Sequence, residues 1–381
     1  MNKTYLRCWF LILTLAIYSC SSETSQQPAA TMTLAADLEP DPIPQPEAID
    51  PTVIPTNSIT IPVTWAHLAP AGKLIYSTGG LDEHNNYIVR IQALDLVTGE
   101  MRIIYSAPVD AGIYYVSTPP NGEQIVMSYS PPPQSDPKVV QALYDMPLNG
   151  STSPELLFMP PTREDQYIQA EWSPDGTYIY YTHVNYTAGD PYWLYPRYSI
   201  FRMAYPEGQP ELIAEEAYWP RLSFDSSRLV YISVDPASGE HQLKTANPDG
   251  RNVQDVVLWG SYVPALKEAP FFSPDGQSII FSGDVPGQSY TPNWLEKLAG
   301  IRVAKANGEA FDWWSVPVNG GEATRLTYLQ TSHLYGSVSP DNRYIVSYSR
   351  DNIFVMKPDG LDLTVIIPGL HRFYGTVSWI P

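Results

Sequence analysis

Cysteine is nearly absent from this 381-residue chain, which has two, Cys8 and Cys20. Both sit at the extreme N-terminus, so no disulfide framework is available to hold a fold together. Basic residues are also scarce, with 22 Lys and Arg against 40 Asp and Glu and a formal charge of −18. Nucleic acid binding needs clustered Lys and Arg, so no nucleic-acid partner is expected. Histidine occurs six times, at positions 67, 84, 183, 241, 333 and 371, and no two share a metal-ligand spacing such as His-x-x-x-His. The sequence therefore nominates no metal site. Gly-x-Ser-x-Gly is missing, which excludes the nucleophile elbow of an α/β-hydrolase. Gly-rich phosphate loops and dinucleotide fingerprints are missing too, and no cofactor is expected.

Long hydrophobic runs are limited to one. Lys3 and Arg7 precede an apolar stretch over 8–18. At about a dozen residues it is too short to span a bilayer and has the proportions of a signal peptide, assigned to residues 1–19. Its end, Ile17-Tyr18-Ser19-Cys20, resembles a bacterial lipobox, an aliphatic and a small residue before the cysteine to be acylated. The bulky Tyr18 departs from the usual pattern. The resemblance implies lipidation at Cys20, which also gives the last remaining cysteine a purpose. The alternative is an ordinary signal peptide or an uncleaved anchor with a stray cysteine.

Residues 21–57 show neither helical nor strand periodicity. They hold seven prolines and six acidic residues with no Lys or Arg. Such a composition cannot bury enough surface to order itself, and proline stiffens it. Residues 20–57 are therefore expected to form a stalk, and 58–381 a folded head. Removing Lys3 and Arg7 with the leader takes the charge from −18 to −20. An anionic membrane would repel such a head, so attachment would fall to the lipid.

What the head does contain is repetition. Residues 171–183 read EWSPDGTYIYYTH: a tight turn, Ser173-Pro174-Asp175-Gly176, set before a pleated run of tyrosines and aliphatics. Five comparable turns end at residues 72, 122, 226, 276 and 342, and three places after each of the six stands Ile75, Ile125, Ile179, Leu229, Ile279 or Ile345. The intervals are 50, 54, 50, 50 and 66 residues. A second turn follows each, so every unit reads as four strands. A period of about 40–50 residues with four strands per unit is the signature of propeller blades. The expected fold is all-β: a six-bladed β-propeller of four-stranded antiparallel blades, with seven blades as the alternative.

The SPDG turns at 173–176 and 273–276 and the SPDN turn at 339–342 resemble the repeats of TolB-like β-propellers, over roughly residues 60–381. Ala71, Asn121 and Phe224 depart from that pattern. The family includes scaffolds, translocation proteins and non-catalytic halves of peptidases, so the resemblance implies a fold rather than an activity. At the chain end, Tyr374-Gly375-Thr376-Val377-Ser378 nearly repeats Tyr335-Gly336-Ser337-Val338-Ser339. A further inner-type strand with no blade after it predicts a clasp onto the first blade.

In such blades the first–second and third–fourth strands are joined by turns at one end. The second–third and blade-to-blade connections lie at the other. Those second–third loops vary most in length, and rigid scaffolds commonly carry function on such loops. They hold Tyr186, Tyr192, Trp193, Tyr195, Tyr290 and Trp294. Tyr192, Trp193, Tyr195, Tyr290 and Trp294 are the candidate ligand contacts, with the two tryptophans as anchors. The bland alternative is that they pack the loops onto the head. Strand tyrosines such as Tyr178, Tyr180, Tyr231 and Tyr344 read as blade packing. The expected function is a lipid-anchored, extracytoplasmic binding or scaffold module for a protein, peptide or envelope glycan. The alternative is a carbohydrate-active lyase or glycosidase with its site over the propeller axis.

Overall fold

The computed structural model describes residues 58–132, 141–162, 164–186, 196–286, 310–331, 334–349, 352–369 and 376–381. The head is a six-bladed β-propeller. The chain enters through β1 (Ser58–Thr60) and one 3-10 turn at Ala66–Leu68. Blade one continues with β2 (Lys73–Leu81), β3 (Tyr87–Asp95) and β4 (Glu100–Ser106). Blade two is β5 (Gly112–Ser117), β6 (Gln124–Ser130), β7 (Ala142–Pro147) and β8 (Glu155–Phe158). Blade three is β9 (Asp165–Trp172), β10 (Tyr178–Asn185), β11 (Arg197–Ala204) and β12 (Glu211–Glu215). Blade four is β13 (Ala217–Leu222), β14 (Leu229–Val234), β15 (His241–Ala246) and β16 (Gln254–Asp255), followed by β17 (Leu258–Trp259). Blade five is β18 (Lys267–Phe272), β19 (Ser278–Asp284), β20 (Phe311–Pro317) and β22 (Thr324–Arg325). Its extra strand β21 (Gly321–Glu322) pairs in parallel with β17 and ties blades four and five together. Blade six is β23 (Leu334–Val338), β24 (Ile345–Ser349), β25 (Asn352–Met356) and β26 (Thr364–Pro368). The last strand is β27 (Val377–Ile380). No helix among the described residues is long and apolar enough to cross a membrane.

The recurring turn explains why each pair of inner strands folds back where it does. In blade three, Gly176 N–H donates to the Ser173 carbonyl at 2.8 Å. Ser173 Oγ donates to Asp175 Oδ1 at 2.6 Å and accepts from Tyr178 N–H at 2.9 Å. Asp175 also accepts from Thr177 N–H at 3.0 Å. The same set of bonds recurs at 223–228, 273–278 and 339–344. Phe224, standing where proline is expected, therefore leaves its turn intact: the serine and aspartate hold it. The aliphatic residues three places after each turn are all fully buried between neighbouring blades. Turn and core position thus arise from one short motif.

The inner strands of blades two to five share a second device. Their register against the next strand slips at one point, a β-bulge. Tyr115, Gln169, Trp219 and Ala269 occupy those bulges with φ of 49°, 57°, 57° and 46°. Each stands seven residues before the end of its turn, and a bulge re-aims the side chain it carries. Tyr115 of blade two and Trp219 of blade four meet edge-to-face at 5.4 Å, and Tyr335 of blade six lies 6.3 and 5.1 Å from them. Blades two, four and six are alternate blades, so their inner strands can share one contact only at the centre. The axis is therefore filled by aromatic rings.

Closure follows the predicted clasp. β27 pairs antiparallel with β2, Lys73 opposite Ile380 and Tyr76 opposite Val377. One expectation is corrected here. The first repeat has no inner strand of its own, because residues before its turn form the 3-10 turn and β1 pairs at the outer edge with β4. The C-terminus supplies the missing inner strand, and the blade count stays at six.

Candidate functional site

Cys20 lies outside the described residues, as do Tyr192, Trp193, Tyr195, Tyr290 and Trp294. The face to which those five were assigned is nonetheless defined by the strands around it. Tyr186 directly follows β10 at that end, half-buried. Beside it, Tyr198 opens β11, and its hydroxyl is pushed up to about 12 by burial first, then by Tyr186 and Glu268.

At this loop end a pocket of about 580 Å³ opens between blades one and two. Ser77, Thr78 and Gly79 at the end of β2 and Tyr87 and Val89 of β3 form one wall. Asp110 and the start of β5, Gly112 to Tyr114, form the other, with Ser130 of β6. Tyr348 of blade six closes the inner side. It is buried, its hydroxyl donates to the Ser77 carbonyl at 3.2 Å, and burial raises its pKa.

Two backbone features shape these walls. A Cβ placed on Gly112 would stand 2.6 Å from Tyr114 Cε2 and 2.6 Å from its Oη. The Tyr114 ring therefore folds back over Gly112, and only a residue without a side chain leaves room for it. Above the pocket, Asp82 caps the connection from β2 to β3. Its Oδ1 accepts from His84 N–H at 2.9 Å and Asn86 N–H at 2.7 Å, and Asn86 Nδ2 donates to Oδ2 at 3.1 Å. Desolvation works against the charge, yet these bonds hold the carboxyl below its ordinary range.

The sequence reading missed this pocket. It assigned strand tyrosines to packing, which is right for Tyr180, Tyr231 and Tyr344, all buried. The available signal was Gly112, two residues ahead of Tyr114 and Tyr115, a glycine opening a strand otherwise rich in β-formers.

Two polar clusters lie at the same end. His183 Nε2 stands 2.7 Å from Asp165 Oδ1, and the carboxylate also accepts from Thr162 N–H, Thr162 Oγ1 and Asn185 Nδ2. Burial opposes its charge, but those hydrogen bonds prevail and its pKa is lowered. Such a saturated carboxylate positions a loop rather than accepting a proton. Between blades four and five, Tyr218 Oη donates to the Lys267 carbonyl at 3.1 Å, and His241 Nδ1 lies 3.0 Å from that Oη. The same ring nitrogen stands 3.4 Å from the Lys267 carbonyl. Lys267 Nζ donates to the His241 carbonyl at 2.9 Å. Desolvation lowers the pKa of both His241 and Lys267. Among the described residues no group of three His, Cys, Asp or Glu side chains is placed to hold a metal. The turn aspartates stand apart, each capping its own turn.

No protein-family model matches the sequence, and no curated protein sequence matches it either. Solved structures do. A putative TolB from Agrobacterium tumefaciens aligns with a TM-score of 0.52 at 16% identity, over 82% of this chain and 99% of that one. The chain has the TolB-like propeller fold. A chain of a nidogen/laminin complex shares this propeller fold, with a TM-score of 0.54 at 10% identity over 80% of this chain and 97% of that one. At these identities the likeness concerns the propeller itself and not the pocket in its loop end.

Proposed function

We propose that this propeller is a lipid-anchored, extracytoplasmic, non-enzymatic binding module that holds a protein, peptide or envelope glycan on its loop end. The observation that carries the reading is the tyrosine-lined pocket at that end, beside an axis closed by Tyr115, Trp219 and Tyr335. A ligand can rest on such a face but cannot thread the centre. Tyrosines offer large contact area with a polar tip at low conformational cost. The leader over 1–19, the acyl acceptor Cys20 and the proline-rich stalk to residue 57 support placement outside the cytoplasm, with the head at 58–381. A nidogen/laminin complex contains a chain of this fold, so protein contact lies within its reach.

The test is affinity capture from envelope extract on the purified head, with mass spectrometry of what is retained before and after incubation. The wild type is expected to retain a chemically unchanged ligand. Two double variants, Tyr87→Ala with Tyr114→Ala and Trp193→Ala with Trp294→Ala, are expected to retain less at unaltered melting temperature. Undiminished retention by both variants would show that this face is not the site. A ligand converted to product would instead establish the lyase or glycosidase alternative.

A further inference from the structure

Three turns at the end of the head opposite the loops share one sequence, Pro-x-Asn-Gly, at 119–122, 147–150 and 317–320. In each the glycine N–H donates to the proline carbonyl, at 2.9, 3.0 and 2.8 Å. Gly122, Gly150 and Gly320 all take positive φ, at 66°, 73° and 85°. Asn121, Asn149 and Asn319 are all exposed. A fourth Asn-Gly pair, at 307–308, lies outside the described residues.

With the backbones alike, the asparagine side chains differ. Glu123 N–H donates to Asn121 Oδ1 at 3.1 Å, and Ser151 N–H donates to Asn149 Oδ1 at 2.9 Å. Each carboxamide is held by the N–H two residues on, as asparagine commonly is in a turn. Asn121 is held twice, because its Nδ2 donates to Glu123 Oε2 at 3.1 Å. At the third turn the corresponding N–H belongs to Gly321. It donates instead to the Val257 carbonyl at 2.9 Å, because β21 leaves the turn to pair in parallel with β17. The strand that ties blades four and five thus takes the donor that would otherwise pin Asn319.

We infer that Asn319 is a site of spontaneous covalent modification, its side chain closing on Gly320 to form a succinimide. Glycine leaves the approach open because it has no Cβ. The Gly320 nitrogen gives up its proton and bonds to Asn319 Cγ, the Cγ–Nδ2 bond breaks, and Nδ2 leaves as ammonia. Water then opens the ring at either carbonyl, leaving aspartate or isoaspartate at 319. The glycine N–H is engaged alike in all three turns, so the freedom of the side chain selects among them. Isoaspartate adds a methylene to the backbone just ahead of β21. The turn is close against blade four there, since a Cβ on Gly320 would stand 2.8 Å from the Val257 carbonyl oxygen. The product therefore disturbs the pairing of Leu258 with Gly321 and of Trp259 with Glu322, and loosens the tie between the two blades.

The test ages the purified chain under mildly alkaline conditions and follows its digests by mass spectrometry, with electron-transfer fragmentation to separate isoaspartate from aspartate. Asn319 is expected to convert about fivefold faster than Asn121 or Asn149, the factor that one such hydrogen bond supplies. In concentrated urea the three turns unfold, and their rates should converge. Equal rates in the folded protein, or a preference for Asn319 that persists in urea, overturns the inference. The effect on β21 is read from melting temperatures. Aged wild type should melt below fresh protein, whereas Asn319→Gln aged in the same way should keep its melting temperature. Asn319→Asp, which carries the new charge without the extra methylene, should melt with fresh wild type. Aged wild type rich in isoaspartate that melts like fresh protein, or an equal fall in aged Asn319→Gln, would overturn the loosening of the tie.

Discussion

Closure of the ring by β27 sets a stability prediction that can be worked from the contacts. Trp379 is 7% exposed, and its Nε1 donates to the Ala71 carbonyl at 2.8 Å. Its ring lies parallel to that of Tyr344 at 6.5 Å, so it joins blade one to blade six. Val377 and Ile380 on the same strand are also buried. Trp379→Ala should therefore cost about 3–5 kcal/mol as a large-to-small core change. Removing residues 377–381 should cost more, because it also leaves Lys73 to Tyr76 of β2 as an unpaired edge. Against a total of about 5–15 kcal/mol for a typical domain, either loss is large. At about 2–4 °C per kcal/mol, the single change should lower the melting temperature by roughly 10 °C. An independent route to the same defect is Gly72→Ala. Its Cβ would stand 2.2 Å from the Ile380 carbonyl oxygen, and the residue sits at φ 89°. The assay is thermal and urea unfolding followed by fluorescence and circular dichroism together, with aggregation monitored for the truncation. A melting temperature within about 2 °C of wild type for Trp379→Ala and for the truncation would refute the clasp as a structural element.

Asp312 is fully buried and receives Arg325 Nε and Nη2, Thr327 Oγ1 and the N–H groups of Leu329 and Gln330. Asp312→Ala should destabilise by about 3–5 kcal/mol in urea unfolding by stranding the arginine, and a loss below about 1 kcal/mol would contradict that role. The turn aspartates set an acid limit. Hydrogen bonds from Ser223 and Ser227 lower Asp225 to about 2, and bonds from Ser273 and Gln277 lower Asp275. A depressed folded pKa means the contribution is present above the unfolded value of about 3.9 and is lost as pH falls through the folded value. Stability should thus drop between about pH 5 and pH 2, and Asp225→Asn should show a shallower drop in a pH series of melting temperatures. Cys20→Ala should free an intact head from the membrane fraction and abolish uptake of a fatty-acid analogue. A wild type that takes up no label would count against the lipid anchor.

Much of the fold was legible because it repeats. A turn of serine, aspartate and a residue at positive φ leaves a local trace in sequence, and the buried aliphatic three places later fixes register. The clasp was legible for the same reason, since β27 copies an inner strand. The first blade's borrowed strand was less so: residues 65–68 precede a turn as the other inner strands do, and nothing local marks them as a 3-10 turn. The bulged residues Tyr115, Gln169, Trp219 and Ala269 share no residue type, because a bulge is set by pairing with the neighbouring strand. That is also why the axial aromatics and the pocket were missed. Tyr114 and Tyr115 are adjacent, yet one lines the pocket and the other fills the axis, a division made by the bulge between them.

The central claim, that the loop end is the binding face, is tested most directly by comparing the two ends of the propeller with one captured ligand. Tyr114→Ala alters the loop end, and Phe224→Ala alters an exposed side chain at the turn end, 65% accessible. The account predicts that Tyr114→Ala raises the Kd about tenfold or more, as for an aromatic contact at the centre of an interface, while Phe224→Ala leaves it unchanged. A Kd unmoved by Tyr114→Ala and raised by Phe224→Ala would contradict it.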